Sequence, residues 1–132
     1  MPDKETLARA RKDRREGKSA STQAGEFVRE EIEHVRAGKH GARSTKQVIA
    51  IALSKARRAG VKLPAPANGT TSEGVREQAK RDLERGKHPG KAPNPKRSRA
   101  MTKKLKGEGH QVASSAALSR HARASAKGRT AP

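Results

Sequence analysis

Residues 21–64 read STQAGEFVREEIEHVRAGKHGARSTKQVIAIALSKARRAGVKLP, and their pattern decides the fold class. In the first half Ala24, Phe27, Val28, Ile32 and Val35 recur at helical spacing, with Glu26, Arg29, Glu30 and Glu33 on the other side. In the second half Val48, Ile49, Ala52, Leu53, Ala56 and Ala59 form a broad apolar face with Ile51 at its edge. The alternation at 48–53 taken alone suits a strand. Ser44 followed three residues later by Gln47 is a capping box, and the Ala content and the unbroken run to Gly60 favour a helix. Helices at 22–37 and 44–59 are therefore predicted to pack as a hairpin.

The same punctuation extends outward along the chain. Arg15-Glu16-Gly17-Lys18, Arg36-Ala37-Gly38-Lys39, Arg58-Ala59-Gly60 and Glu84-Arg85-Gly86-Lys87 each put a basic residue in a last helical turn and then a Gly suited to a left-handed stop. Polar loops after the first three close on Ser21 or Thr22, Ser44, and Thr71 or Ser72 as N-caps. Two further helices follow, at 3–16 and 72–85. They hold few large apolar residues, Leu7 in the first and Val75 and Leu83 in the second, and read as solvated helices. The expected chain is all-α: a solvated N-terminal helix in 1–20, the hairpin core in 21–63, a linker at 64–71, a short helix in 72–86 and a basic disordered tail over 87–132.

Composition bounds what such a chain does. Of 132 residues only 16 are Leu, Ile, Val or Phe, whereas 32 Lys and Arg stand against 13 Asp and Glu, a formal charge of +19. That apolar content lies below the roughly 20% under which a strongly charged chain is largely disordered. Ordering a helical hairpin costs about 1 kcal/mol or more per residue, so this one gains from dimerising through 22–59 or from binding a partner. Phe27 is the only aromatic residue and Cys is absent, which excludes ring-stacking RNA or single-strand platforms, disulfide scaffolds and thiol-ligated metals. The longest apolar run, Val48 to Leu53, is too short to span a membrane or serve as a signal core.

The charge is also segregated. No acid occurs from His34 through Ser72, and residues 87–132 carry 12 Lys and Arg with Glu108 as their one acid. Pro89, Pro93 and Pro95 punctuate the start of that tail, and its Ala/Ser-rich stretch 111–127 has the makings of a helix once its charges are neutralised. With the apolar face of 44–59 inward, Lys46, Gln47, Ser54, Arg57 and Arg58 are expected to face out, flanked by Lys39, Arg43 and Lys62. Lys96, Arg97, Arg99, Lys103, Lys104, Lys106, Arg120 and Arg123 supply the tail's charge. Side chains of these types contact phosphates, and released counterions make a nucleic acid the natural ligand of an acid-poor run. The basic residues before each Gly also complement the helix dipole. Glu26, Glu30, Glu31 and Glu33 read as neutralising nearby cations within the molecule or as docking a basic partner.

No enzyme can be assembled: no nucleophile pairs with a base, and Gly107-Glu108-Gly109 is too short for a phosphate cradle. His34, His40, His88, His110 and His121 are scattered. Glu30 and His34, with His40 as a third member, have the spacing of a metal pair, yet a solvated Glu–His pair is the expected reading, with no metal and no cofactor.

The block Ser21–His34 and the stretch HGARSTKQVIAIALSKARRAGVKLP at 40–64 resemble a bacterial family of short Lys/Arg-rich proteins of unknown function. Its members are often labelled plasmid-stabilization or DNA-binding proteins. The resemblance covers about residues 21–64 and implies a bacterial or phage cytoplasmic protein, with no binding residues to carry over. The expectation is a nucleoid-associated or plasmid-maintenance factor that binds DNA without sequence specificity by neutralising phosphate. The same composition admits an RNA- or ribosome-associated protein. A helical protein-interaction or stress-protection module is the reading from a different class. No membrane and no small-molecule substrate are expected.

Overall fold

The computed structural model describes residues 3–66, 72–88 and 95–130, with side chains through residue 126. The fold is all-α. Helices α1 (Lys4–Arg15), α2 (Ala20–Arg36), α3 (Thr45–Arg58), α4 (Glu73–Lys87), α5 (Pro95–Lys106) and α6 (Ser115–Thr130) follow in order, with a 3-10 turn at Gln111–Ala113. None of the described helices is long and apolar enough to cross a membrane.

Three of the four predicted Gly stops have the backbone the pattern demands: Gly17, Gly38 and Gly60 lie at φ 75°, 78° and 102°. Gly86 is different. It lies inside α4, where a Cβ would collide with the Arg57 carbonyl, so it permits a close backbone approach. Ser44 caps α3 as expected, accepting from the Gln47 N–H at 3.1 Å, while Gln47 Oε1 accepts from the Arg43 N–H at 2.7 Å. The cap of α2 is Ser19, whose Oγ accepts from the Thr22 N–H at 3.2 Å. The expected caps Ser21 and Thr22 already lie within the first turn, because the helix starts at Ala20, two residues before the predicted 22.

The chain divides into two compact units, Met1–Glu30 with Ile51–Lys91, and Glu31–Ala50 with Ala92–Pro132. The 21–63 hairpin is therefore split between two cores. In the first unit Ala10, Ala24, Phe27, Ala52, Ala56 and Val61 are buried together, with Leu7, Ala20, Val28, Leu53 and Leu63 packed on them. Four of the six buried residues are alanines around one fully buried ring, so the core depends on close helix approach rather than on bulky side chains. For this reason α1 is packed where a solvated helix was expected. Its Thr6 and Ala10 are buried, and Arg9 Nε reaches Glu26 Oε2 of α2 at 3.0 Å. Glu30 Oε1 accepts from the Asp3 N–H at 2.5 Å. Part of the acidic block thus neutralises and caps within the molecule.

Helix α4 turns Ala79 and Asp82 inward and leaves Val75 half exposed. Ser72 caps it by accepting from the Val75 N–H at 3.4 Å. The segment after Gly60 is pinned by two arginines. Arg57 donates to the Leu63 and Pro64 carbonyls at 3.1 and 3.0 Å, and Arg76 to that of Pro66 at 3.0 Å. The rest of the expected linker, 67–71, lies outside the described residues.

The second unit has its own core of Val35, Ala42, Val48 and Ala113, with Ile32 and Val112 against it. Its C-terminal residues belong to the expected disordered tail, yet 105–113 is tied down by backbone bonds. The Gly41 N–H donates to Leu105 O at 2.7 Å and the Ala42 N–H to Gly109 O at 2.9 Å. Arg36 Nε donates to Ala113 O at 2.8 Å, and Thr45 Oγ1 to Val112 O at 2.5 Å. At Gly41 a Cβ would collide with the carbonyls of Glu108 and Gly109, so glycine is required there by contact rather than by φ. Ser114 caps α6, accepting from the Ala117 N–H at 3.1 Å, and Ala117 is buried. Residues 95–104 of α5, by contrast, are exposed all round. Of the predicted tail, 89–94 and 131–132 lie outside the described residues.

Candidate nucleic-acid interface

The predicted basic face of α3 divides along its length. In the second unit Lys39, Arg43 and Lys46 are exposed, and Gln47 is half-buried with its side chain spent on the capping box. In the first unit the expected outward group is committed to structure. Arg57, predicted to face solvent, is only 7% exposed. Ser54 Oγ donates to Asp82 Oδ2 at 2.7 Å, and Gln78 Nε2 donates to Oδ1 of the same carboxylate at 3.1 Å. Arg58 Nε lies 3.3 Å from Ser54 O and 3.7 Å from Asp82 Oδ1. Burial lowers the Arg57 pKa below its ordinary value, and the Asp82 carboxylate opposes that shift. The reason for the inward turn is Asp82, a 2%-exposed carboxylate on α4 that draws the cations of the α3 C-terminal turns. Lys62 remains exposed.

The N-terminus of α3 borders an open concavity of about 520 Å³, lined by Ser44, Thr45, Lys46, Gln111, Val112, Ala117, Arg120 and His121. Two cations, a half-buried imidazole and the positive end of a helix dipole thus border one hollow, an arrangement suited to an anion. Lys46 and Arg120 were both predicted as nucleic-acid contacts. His121 was not, since nothing local links it to a residue 75 positions earlier. Packing of 111–118 on α3, through Thr45 and Val112, joins them.

Helix α5 supplies the second basic surface. Its sequence, PKRSRAMTKKLK, has no acid. Lys96, Arg97, Arg99, Lys103, Lys104 and Lys106 are all exposed. Arg99, Lys103 and Lys106 share a shallow hollow of about 360 Å³ with Ser98 and Thr102. Arg123, on α6, is exposed as well.

The second unit also holds a titratable cluster. Glu31, fully buried, lies between two imidazoles, with His40 Nε2 3.2 Å from Oε2 and His34 Nδ1 3.8 Å from Oε1. The i, i+4 pair read from the sequence used Glu30. Glu31 is the residue gathered with His34 and His40, because the Gly38 turn brings His40 back over that side of α2.

No family model matches the chain, and neither a curated protein nor a solved structure matches it.

Proposed function

We propose that this protein binds nucleic acid without sequence specificity, with duplex DNA as the principal ligand, in an architectural role such as compaction or plasmid and nucleoid maintenance. The observation that carries the reading is α5, a twelve-residue helix with no acid and six exposed cations, in the same unit as the Lys46–Arg120–His121 hollow. A helix of that charge serves no core, since none of its residues is buried. A rod of cations is complementary to a rod of phosphates. The absence of Tyr and Trp, with Phe27 sealed in the first core, leaves phosphate contact as the means of binding.

The test is fluorescence anisotropy of labelled DNA and RNA duplexes of equal length, titrated across a salt series. Engaging six to ten phosphates weakens binding by about 10³–10⁵ between 50 and 200 mM salt. A steep log–log slope with DNA supports the reading. A steep slope with RNA alone reassigns the ligand. No binding at low salt removes nucleic acid altogether and leaves the interaction-module reading.

A further inference from the structure

We propose that Glu31, His34 and His40 form a binding site for a divalent transition metal, Zn²⁺ being the ion its donors fit best. The three side chains offer one ligand atom each, all within 4.8 Å of one another. Ligand atoms around a tetrahedral Zn²⁺ with bonds of about 2.0–2.1 Å lie roughly 3.3 Å apart. The two imidazoles approach different oxygens of the carboxylate, His40 at 3.2 Å from Oε2 and His34 at 3.8 Å from Oε1, so closing on an ion requires the side chains to turn until one oxygen serves both. The rings of His34 and His40 are nearly perpendicular, at 80° with centroids 6.2 Å apart, so they approach the carboxylate without stacking on each other.

The surroundings of His40 carry the argument further. Its Nδ1 lies 3.0 Å from the Gly41 carbonyl. A carbonyl only accepts, so Nδ1 carries the proton, and in the neutral ring the Nε2 lone pair points at Glu31. Backbone-carbonyl support of one imidazole nitrogen while the other faces a metal is the usual outer-shell arrangement of histidine ligands. A lone pair and a carboxylate oxygen 3.2 Å apart in a buried setting repel each other unless a cation lies between them. What lies between them is either a proton held by the pair or a metal ion. Two nitrogens and one oxygen favour Zn²⁺ and its neighbours over Mg²⁺ or Ca²⁺, which prefer all-oxygen sites. Three protein ligands leave a fourth position for water or an added group. The consequence within this unit is local: the bound ion fixes the 38–42 turn, whose Gly41 and Ala42 amides hold Leu105 and Gly109.

The experiment is titration of the full-length, untagged, metal-stripped protein with Zn²⁺ against a chromophoric chelator, with amide hydrogen exchange on the same samples. Expected are one equivalent of tight binding, undisturbed by excess Mg²⁺, and slower exchange at Gly41 and Ala42. His40→Gln, on a surface turn, is the first variant and Glu31→Gln the second, each checked for unchanged helicity. Removing an outer-shell partner alone weakens metal sites about 10–100-fold, so removing a ligand should weaken this one by at least ~100-fold. His88→Gln and His121→Gln should leave affinity unchanged. Absence of saturable binding overturns the proposal and assigns the cation to a proton. Binding that survives His40→Gln in a folded protein, or falls with His121→Gln or His88→Gln, also overturns it.

Discussion

Arg57 and Asp82 show how a few polar side chains hold together a unit with so little apolar volume. The carboxylate accepts from Ser54 and Gln78, while the guanidinium donates to the carbonyls that follow Gly60. Removing one member of a buried charged group strands the rest, so Asp82→Ala is expected to cost about 3–5 kcal/mol in chemical denaturation. Replacing both charges, Arg57→Met with Asp82→Leu, should cost clearly less than the two single changes added together, because neither charge is then left unpaired. A double-mutant cycle that is simply additive would refute the coupling. Burial places the folded-state pKa of Arg57 below its unfolded value. The unfolded chain therefore binds that proton more tightly, the desolvation cost is fully present at neutral pH, and stability rises with pH only in the alkaline window between the two values. A second residue-scale prediction concerns the two kinds of glycine. Gly41→Ala drives a methyl into the backbone of Glu108 and Gly109 and should unfold the second unit's loop, seen as faster amide exchange at residue 41 and at Ala42. Gly25→Ala, with open space around it inside α2, should instead stabilise by about 0.5–1 kcal/mol.

Among the elements, α5 is the one that buries no residue, and it gives the cleanest functional prediction. Lys103→Gln, Lys104→Gln and Lys106→Gln together should leave helicity unchanged and flatten the salt dependence of DNA binding by about 0.9 in log–log slope for each phosphate no longer neutralised. Arg58→Gln should barely move that slope, since Arg58 Nε is turned toward Ser54 O and Asp82. An unchanged slope in the α5 variant would sink the helix as an interface. The contrast between α5 and the C-terminal turns of α3 also marks what the sequence could and could not reveal. Most helix ends were legible because caps and stops are local chemistry: Ser44 with Gln47, and the Gly after three of the four basic turns, Gly86 being the exception inside α4. The inward turn of Arg57 was not legible, since it depends on Asp82, brought alongside by packing of α4. Packing of α1 was hidden for a related reason: Ala10, Ala24, Ala52 and Ala56 hardly register as hydrophobic, yet they allow the approach that buries them. Of the candidate site, the cations were visible one by one. Their grouping around the α3 N-terminus was hidden by the 74 positions that separate Arg120 from Lys46.

For the whole molecule, a charge of +19 on 132 residues makes salt act in two opposite ways. In the free protein the cations of α5 and the exposed Lys39, Arg43 and Lys46 of the same unit repel one another, and folding draws them closer than they are in the extended chain. Salt shortens the Debye length from about 30 Å at 0.01 M to about 8 Å at 0.15 M, which relieves that repulsion. The Tm of the free protein should therefore rise across this range. With duplex DNA in excess the order reverses. A ligand at 100 times its Kd adds about 2.7 kcal/mol of stability, and the gain vanishes as salt releases the DNA. The two curves, with and without DNA, should start far apart at low salt and converge as it increases. A stress-protection module whose charge serves only solubility would give one rising curve that DNA does not move. The convergence of opposed slopes thus reports phosphate binding by the folded state, independently of any fluorophore on the DNA.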